Sequence, residues 1–443
     1  MPKTKLRIGW PGNFREIQAE IPAGDPPPWD ADSKLSVVGA RLPRVEGPDK
    51  VTGRAKYTSD MAPAGMLTGG VLRSPHAHAR ATALDLGPAR KLPGVKAALE
   101  LEREPRYAGQ AVAAVAAESP LQAQAALDAI VVTWEVLPHV TDPEEARRPD
   151  APRVLGGRNP NARGGASENA ADEAACGRAL AAASASVDLT FRTPVVEHTC
   201  LESHGSLASW EGDALTVWDS TQAVASVRDG LARGLQVPAN SVRVVKEHMG
   251  GGFGSKLGMG ETALIAARLA KEAGRPVRVL NDRKAEQTTG GNRPSSVQRL
   301  RLGADKAGTL SVMWLESSGT GGVGGGAGCS GPFRTLYRAG VMRDEHTDIL
   351  TNAGRAQAFR APGHVQGMFA LESAIDALAI EAGIDPLEFR LRNDASDLRR
   401  AEYAEGARRI ATGRSVRRAR GRMYRRLRDR WTPRRSRPGS TPA

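Results

Sequence analysis

The stretch Met-Gly-Gly-Gly-Phe-Gly-Ser-Lys at residues 249–256, called the first glycine loop here, decides the fold that we expect. It lies between an apolar, strand-like run at 241–246 and a helix-like run at 260–274, so it predicts a strand–loop–helix unit. Consecutive glycines let a ligand approach main-chain N–H groups with no Cβ in the way. Such groups at a helix entrance suit an anionic ligand such as a phosphate. A plain tight connection is the alternative hypothesis, because glycine-rich turns often serve only to connect elements.

Further strand-like and helix-like runs flank this loop and predict an α+β domain over residues 186–398. A hairpin is expected between 297–302 and 310–315, turned at Asp-Lys-Ala-Gly over 305–308. The other predicted strands are 186–193, 215–220, 241–246 and 277–281, and the predicted helices are 223–235, 261–273 and 366–382.

A separate α/β domain is predicted over residues 36–143. Small apolar residues at 111–117 are typical of a buried strand, 121–130 has helical spacing, and 131–136 predicts another strand. Residues 1–35 are rich in proline, glycine and charge, which favours an extended N-terminal arm.

Two segments differ in composition from these domains. Residues 144–185 are polar and rich in glycine and alanine, which indicates a linker. The tail at 399–443 holds 16 arginines against three acidic residues, and therefore carries the whole net charge of +13. The remainder is electrically neutral, so the basic total says nothing about the partners of the folded part.

The arginine-rich tail predicts disorder, because such a sequence has few large apolar side chains with which to form a core. From about residue 411 it resembles GC-rich DNA that is translated out of frame. An alternative is a nucleic-acid-binding tail whose affinity depends on salt. We do not expect nucleic acid to be the partner of the folded part.

The three cysteines, Cys176, Cys200 and Cys329, are widely spaced and form no Cys-x-x-Cys motif. We therefore expect no disulfide framework, iron–sulfur centre or structural zinc site in the chain. No run of about 18 apolar residues predicts a membrane span, and the N-terminus lacks the apolar core of an export signal. The sequence favours a cytoplasmic protein with no membrane association.

Three more features are candidates for a ligand site. Gln222 follows a predicted strand and precedes a predicted helix, where α/β proteins usually bind ligands, although it could also be a solvated helix-entry residue. Residues 320–331, the second glycine loop, contain seven glycines and could be either a flexible loop or a cradle for a phosphate-bearing cofactor. Arg360 precedes a predicted helix, where the helix dipole disfavours a cation, so an anion or metal–oxo group beside it would explain its position.

Several motifs occur in an order that is specific as a set. Ser-Thr-Gln at 220–222, Gly-Gly-Gly-Phe-Gly-Ser-Lys at 250–256 and Ala-Phe-Arg-Ala-Pro-Gly at 358–363 resemble the molybdenum-binding large subunit of the xanthine dehydrogenase/aldehyde oxidase family. The resemblance covers residues 36–410 and implies a hammerhead α/β domain followed by the first half of a molybdenum-cofactor-binding α+β domain. Its other motifs are 51–57, 74–80, 92–95, 107–110, 371–374 and 385–390.

The resemblance implies a molybdenum hydroxylase that oxidises an aldehyde or N-heterocycle by hydroxylation with water-derived oxygen. Its cofactor would be molybdenum–molybdopterin in the cytosine dinucleotide form, held without a direct protein ligand to the metal. Gln222 would hydrogen-bond the oxo group of the molybdenum, and Arg360 would lie on the other side of the metal. Backbone amides facing the metal ligands and the pterin would come from Gly251, Gly252, Phe253 and Gly254.

Two departures from the family pattern narrow this expectation. Leu257 replaces the carboxylate of purine-oxidising members, and Pro362 replaces an aromatic residue after Arg360, so we do not expect a purine substrate. The chain also lacks, at 358–363, the cysteine-bearing loop of members that oxidise carbon monoxide.

Family members continue into a second half in which a Gly-Glu-Pro-like segment supplies the general base, and this sequence has no such segment. We therefore predict no catalytic residue in the chain, and an inactive, C-terminally truncated fragment is the main alternative to an active subunit. Because the resemblance places neither iron–sulfur centres nor FAD in this chain, it implies a [2Fe–2S] subunit and an FAD-binding subunit as partners.

Overall fold

The computed structural model describes residues 3–10, 13–20, 32–157 and 160–411, so the tail beyond residue 411 and the hypotheses about it lie outside the described residues. The strands are β1 Lys3–Trp10, β2 Asn13–Glu20, β3 Leu67–Arg73, β4 Ala79–Asp85, β5 Val95–Glu100, β6 Ala111–Ala117, β7 Val131–Val136, β8 Ala162–Ala166, β9 Ala185–Thr193, β10 Val196–Glu197, β11 Gly205–Glu211, β12 Ala214–Asp219, β13 Val242–Val245, β14 Val277–Leu280, β15 Asn292–Arg293, β16 Ser296–Ala304, β17 Leu310–Gly322 and β18 Val341–Leu350. The α-helices are α1 Gly47–Val51, α2 Gly87–Arg90, α3 Pro120–Asp128, α4 Pro143–Ala146, α5 Glu173–Ala182, α6 Val224–Leu235, α7 Glu261–Ala273, α8 Arg283–Thr289, α9 Gly331–Thr335, α10 His364–Glu381, α11 Pro386–Asn393 and α12 Asp397–Ala411.

The chain divides into two compact units, the first ending at Ala55 and the second beginning at Lys56. In the first unit, β1 and β2 form an antiparallel hairpin within the segment that the sequence predicts as an extended arm. The short helix α1 also belongs to this unit.

The largest sheet of the described residues lies in the second unit and has seven strands in the order β13-β12-β11-β14-β3-β6-β5. Strand β6 is buried on both faces, as its alternating small residues predict: Ala114 and Ala116 face a core shared with α6 and α7, whereas Ala113 and Val115 face one shared with α3. Strands from both predicted domains pair in this sheet. The predicted boundaries themselves stay predictions.

A five-stranded sheet, in the order β8-β18-β17-β16-β9, carries helix α10 on one face. The predicted hairpin is confirmed, because β16 and β17 pair antiparallel around a turn closed by the Asp305 carbonyl and the Gly308 N–H. Leu371, Ile375 and Leu378 of α10 are buried against this sheet.

Two segments that the composition sets apart contain regular structure. The predicted linker at 144–185 includes β8 and α5, and the first part of the predicted tail continues α12 as far as Ala411. The mixture of sheets and helices is the predicted α+β class. None of the helices in the described ranges is long and apolar enough to span a membrane.

Candidate functional site

The first glycine loop connects β13 to α7, as predicted. The sequence predicts that the loop amides lie at the entrance of the following helix. Helix α7 begins only at Glu261, beyond the loop, so the loop N–H groups are not those of the helix N-terminus. The backbone turns through positive φ at Gly251, Phe253 and Gly254. Within the described part of the chain, the N–H groups of Gly251, Gly252 and Phe253 have no hydrogen-bond acceptor. No acceptor in that part of the chain occupies them, and Phe253 is exposed whereas Gly252 is buried.

Gln222 lies between β12 and α6, and its side-chain amide is held in one orientation by the loop. Its Oε1 accepts hydrogen bonds from the N–H groups of Gly254, at 2.7 Å, and Lys256, at 3.4 Å. Because both partners donate, the acceptor end of the amide must face the loop. The Nε2 end is exposed and donates to no acceptor among the described residues. Gln222 therefore presents a fixed, unused donor beside the free backbone amides.

The segment 358–363, called the Arg360 loop, packs directly against the first glycine loop. The Arg360 N–H donates to the Phe253 carbonyl at 2.7 Å. A Cβ at Gly254 would lie 2.3 Å from the Ala358 carbonyl oxygen, so only glycine allows this approach. The Arg360 side chain is exposed and has no hydrogen-bond or ion-pair partner within the described ranges. The structure thus brings the six predicted contact residues into one contiguous set, but the Gly254 N–H, which was expected to face the cofactor, donates to Gln222 instead.

An aromatic cluster adjoins these contacts. The Phe253 and Phe359 ring centroids are 6.4 Å apart, and Phe253 is 45% exposed. Phe359 also lies 4.4 Å from the His198 ring and 4.6 Å from the Arg293 guanidinium. The surface beside the predicted donors is therefore aromatic and open to solvent.

A buried polar network, which the sequence analysis did not identify, lies behind the first glycine loop. Lys256 is only 1% exposed, and its Nζ donates to the Ser220 hydroxyl at 2.7 Å and to the Glu202 carbonyl at 2.8 Å. Burial lowers the pKa of the Lys256 ammonium from its ordinary value. The only sequence signal of this network is a pair of histidines and a glutamate in the run His-Thr-Cys-Leu-Glu-Ser-His at 198–204.

Two carboxyl groups in the same region have opposite electrostatic environments. Asp219 is 5% exposed, and burial raises the pKa of its carboxyl to about 6, although the Ser206 hydroxyl donates to it. Burial by itself would raise the pKa of the Glu286 carboxyl as well. Its hydrogen bond and charge interaction with His204 outweigh that effect, so the pKa of Glu286 lies below its ordinary value.

The second glycine loop is the continuation of β17, which ends at Gly322, and leads into α9. Asp348 of β18 accepts hydrogen bonds from the N–H groups of Gly326 and Ala327, both at 2.8 Å. Hydrogen bonding to His346 and to these amides holds the pKa of Asp348 at about 2. These two N–H groups therefore bond to a carboxylate of the protein, whereas the phosphate-cradle hypothesis requires them to be free for a ligand. This loop and the Arg360 loop border a cavity of about 270 Å³.

Comparison with known proteins identifies two matching families. Residues 164–394 match the molybdopterin cofactor-binding domain, and residues 52–105 match the a/b hammerhead domain of aldehyde oxidase and xanthine dehydrogenase. Both families are those that the motifs of the sequence resemble.

The chain is 34% identical over 406 residues to the aldehyde oxidoreductase molybdenum-binding subunit PaoC of Escherichia coli (strain K12), covering 85% of this chain and 52% of that protein. It is 29% identical to the nicotinate dehydrogenase large molybdopterin subunit of Eubacterium barkeri, covering 81% of this chain and 89% of that protein. Quinoline 2-oxidoreductase from Pseudomonas putida 86 has a similar structure, with a TM-score of 0.74, 27% identity, and coverage of 80% of this chain and 50% of that one. The chain thus spans about half the length of the Escherichia coli relative.

Proposed function

The chain belongs to the xanthine dehydrogenase/aldehyde oxidase family of molybdopterin-binding large subunits, and from this premise we propose that it is the molybdenum-binding subunit of a hydroxylase acting on an aldehyde or N-heterocycle. The observation that carries the proposal is the convergence of the Gln222 amide donor, the backbone amides at 251–253 and the Arg360 guanidinium, all without a partner among the residues that the structure describes. When bound, the molybdenum cofactor supplies the oxidation, in which the substrate gains an oxygen atom from water.

The residues of the site fit an anionic metal–oxo cofactor by their chemistry. Fixed N–H donors stabilise oxo groups most strongly when they need no rearrangement, and Gln222 is held in place by two hydrogen bonds to its Oε1. The N–H groups of Gly252 and Phe253 would face the metal ligands and pterin. Arg360 would add a positive charge, and its backbone is anchored to the Phe253 carbonyl.

The polar groups of the proposed site that have no partner among the described residues are all hydrogen-bond donors, which favours an anion as the ligand. Neither Gln222 Nε2 nor the loop amides can act as acceptors, so a cationic ligand would gain no hydrogen bond from them. The nearby Lys256 is engaged in its own hydrogen bonds to Ser220 and Glu202, whereas the exposed Arg360 side chain has no hydrogen-bond or ion-pair partner among the described residues.

Finer details of the assembly belong to the same proposal. We propose the cytosine dinucleotide form of the cofactor, and a [2Fe–2S] subunit and an FAD-binding subunit as the partners that carry electrons away. Three buried, free cysteines favour the reducing cytoplasm as the compartment. Leu257, which is half exposed next to the loop, offers no carboxylate to a purine and therefore favours an aldehyde or another N-heterocycle as the substrate.

Expression of the full chain in a host that makes the cofactor, with and without the two proposed partner subunits, tests the proposal. We expect molybdenum to co-purify with the chain and to support aldehyde-dependent dye reduction in the three-subunit complex. Gln222→Ala should lower the bound molybdenum, whereas Gln124→Ala, which changes an exposed glutamine on α3, should not. Equal molybdenum in both variants would contradict the assignment of the site.

An inactive molybdenum-binding fragment is the second candidate, and the exposure of the site favours it. Gln222, Phe253 and Arg360 are all open to solvent, and water weakens each hydrogen bond to a ligand. Bound molybdenum without any turnover, in the presence of both partners, would support this candidate over the active subunit.

A further inference from the structure

The segment 198–204, called the brace here, contacts both the first glycine loop and the Arg360 loop. His198 contacts the Arg360 loop, Glu202 contacts the start of the first glycine loop, and His204 contacts its end. None of these side chains is among the predicted cofactor contacts. Loops that must hold a ligand precisely are usually fixed by neighbouring side chains that do not touch the ligand.

His198 is held between two main-chain carbonyls. Its Nε2 lies 2.7 Å from the Ala358 carbonyl oxygen, and its Nδ1 lies 3.0 Å from the Gly291 carbonyl oxygen. Carbonyl oxygens only accept hydrogen bonds, so a ring nitrogen bonds to the carbonyl that it faces by donating its N–H. The ring is 7% exposed, and its centroid lies 4.4 Å from that of Phe359. His198 thus ties the Arg360 loop to Gly291.

Glu202 anchors the other loop through a chain of hydrogen bonds. Its Oε2 accepts from the Gly250 N–H at 2.6 Å and from the Ser220 hydroxyl at 2.9 Å. Ser220 in turn accepts from the Lys256 ammonium at 2.7 Å. Both ends of the first glycine loop are therefore fixed to one partly buried carboxylate, Gly250 directly and Lys256 through Ser220. Hydrogen bonds to charged groups are roughly twice as strong as those between neutral groups.

His204 completes the set. Its Nδ1 contacts the Glu286 carboxylate at 2.9 Å, and its Nε2 lies 3.3 Å from the Ser255 carbonyl oxygen. Its backbone N–H also donates to Glu286 at 2.8 Å. The end of the brace is therefore fixed to α8, and the glycine loop is fixed to the brace.

We propose that the brace is the positioning element of the site, in which His198 sets the Arg360 loop and Glu202 sets the first glycine loop. The positioning itself is a property of the protein alone, and its consequence for the cofactor rests on the proposed function. Because the two loops are anchored by different side chains, each should loosen independently of the other.

Hydrogen exchange of the cofactor-free full chain tests this independence. Glu202→Gln removes the charge that holds Gly250 and Ser220, and should speed exchange of the Gly254 and Lys256 amides about tenfold. It should have little effect on the Gln357 amide, which precedes Ala358 and donates to the Asn292 carbonyl at 2.9 Å, outside the first glycine loop. His198→Gln cannot reproduce the contacts of both ring nitrogens, and should speed exchange of the Gln357 amide by a similar factor, with less effect on Lys256. The matched controls are His139→Gln and Glu211→Gln, both at exposed positions, and should change none of these amides.

A further variant completes the test. If Glu202→Gln does not fold, Ser220→Ala takes its place as the test variant. It leaves all charges in place and should speed hydrogen exchange of the Lys256 amide. The proposal is overturned if the brace variants exchange like the controls.

Molybdenum content separates this proposal from the proposed function. In the host that makes the cofactor, the brace variants should retain several-fold less molybdenum per mole of folded chain than wild type. A wild-type chain that binds no molybdenum would contradict the proposed function. The exchange result would still decide whether the brace positions the loops.

Discussion

The two glycine loops have similar compositions but opposite relations to the rest of the molecule. In the first loop, the N–H groups of Gly251, Gly252 and Phe253 are unused within the described ranges, and the side chains behind them only support the backbone. In the second loop, the N–H groups of Gly326 and Ala327 are already bonded to the Asp348 carboxylate. One loop can receive an anion, and the other already holds one.

Glycine content therefore indicates that a backbone can bind an anion, and the surrounding side chains determine whether it is free to do so. Asp348 reaches the second loop from a strand about 20 residues away along the chain. The polar side chains behind the first loop, by contrast, bind its ends and leave its middle open. The comparison can be tested one residue at a time.

The largest effect is expected for Gly254→Ala in the first loop. Its φ of 114° disfavours any side chain, and the new Cβ would lie 2.3 Å from the Ala358 carbonyl oxygen. That carbonyl is itself held by His198 at 2.7 Å, so it cannot move away freely. We expect a loss of about 3 kcal/mol or more in the free energy of unfolding, measured by urea denaturation.

Gly258→Ala is the matched control for this change. Gly258 follows the same loop, is exposed, and has open space where a Cβ would be added. Its stability should stay within about 0.5 kcal/mol of wild type. Similar losses at both positions would show that the contact between the two loops is not what requires glycine.

The second prediction concerns the buried carboxyl behind the first loop. The Asp219 pKa is raised from 3.8 to about 6 by burial, so its contribution to stability is complete below pH 3.8 and is lost as pH rises towards 6. Asp219→Asn imitates the protonated form. The variant should match wild type at pH 3.5 and exceed it by about 3 kcal/mol at pH 7, measured as unfolding free energy against pH.

An Asp219→Asn difference that does not change with pH would contradict this assignment. The control is Asp213→Asn, a fully exposed carboxyl near the start of the same strand. It should show no comparable dependence on pH.

Much of the fold could be predicted from the sequence because its signals are local. The alternation at 111–117 and the hairpin around 305–308 need only neighbouring residues to specify them, and both are confirmed. The family resemblance identified the candidate site residues as a set, but their roles stay predictions. Spacing along the chain contains no information on the 2.7 Å hydrogen bond between Gly254 and Gln222.

The supporting residues could not be predicted because their partners are distant in sequence. His198 contacts Ala358, which is 160 residues away, and Glu202 contacts Gly250, which is 48 residues away. The histidines and the glutamate of the run 198–204 give no sign in the sequence of which carbonyl or amide each will contact. The same applies to Asp348, whose position in β18 does not reveal that it caps the second glycine loop.

The third prediction concerns that cap. The Asp348 pKa is lowered from 3.8 to about 2, so its contribution to stability is present above pH 3.8 and is lost as pH falls towards 2. Asp348→Asn should therefore cost about 2 kcal/mol at pH 7, and the cost should shrink below pH 4. The measurement is the unfolding free energy of the variant minus that of wild type, followed against pH. With rising pH this difference should become more negative for Asp348→Asn and more positive for Asp219→Asn. Profiles that slope the same way for both variants would contradict the difference between the loops.

The smallest effect is expected for Gly326→Ala, which places the same substitution in the second loop. The φ of Gly326 is 87°, which costs a side chain about 1–2 kcal/mol, but there is open space where its Cβ would lie. The lower entropy of the unfolded alanine chain offsets part of that cost, so we expect a net loss of about 1 kcal/mol by urea denaturation. The Gly326 N–H would still donate to Asp348, since the new methyl group meets no neighbour. A loss as large as that of Gly254→Ala would mean that the second loop is as tightly confined as the first, and that its bound carboxylate is not the main difference between them.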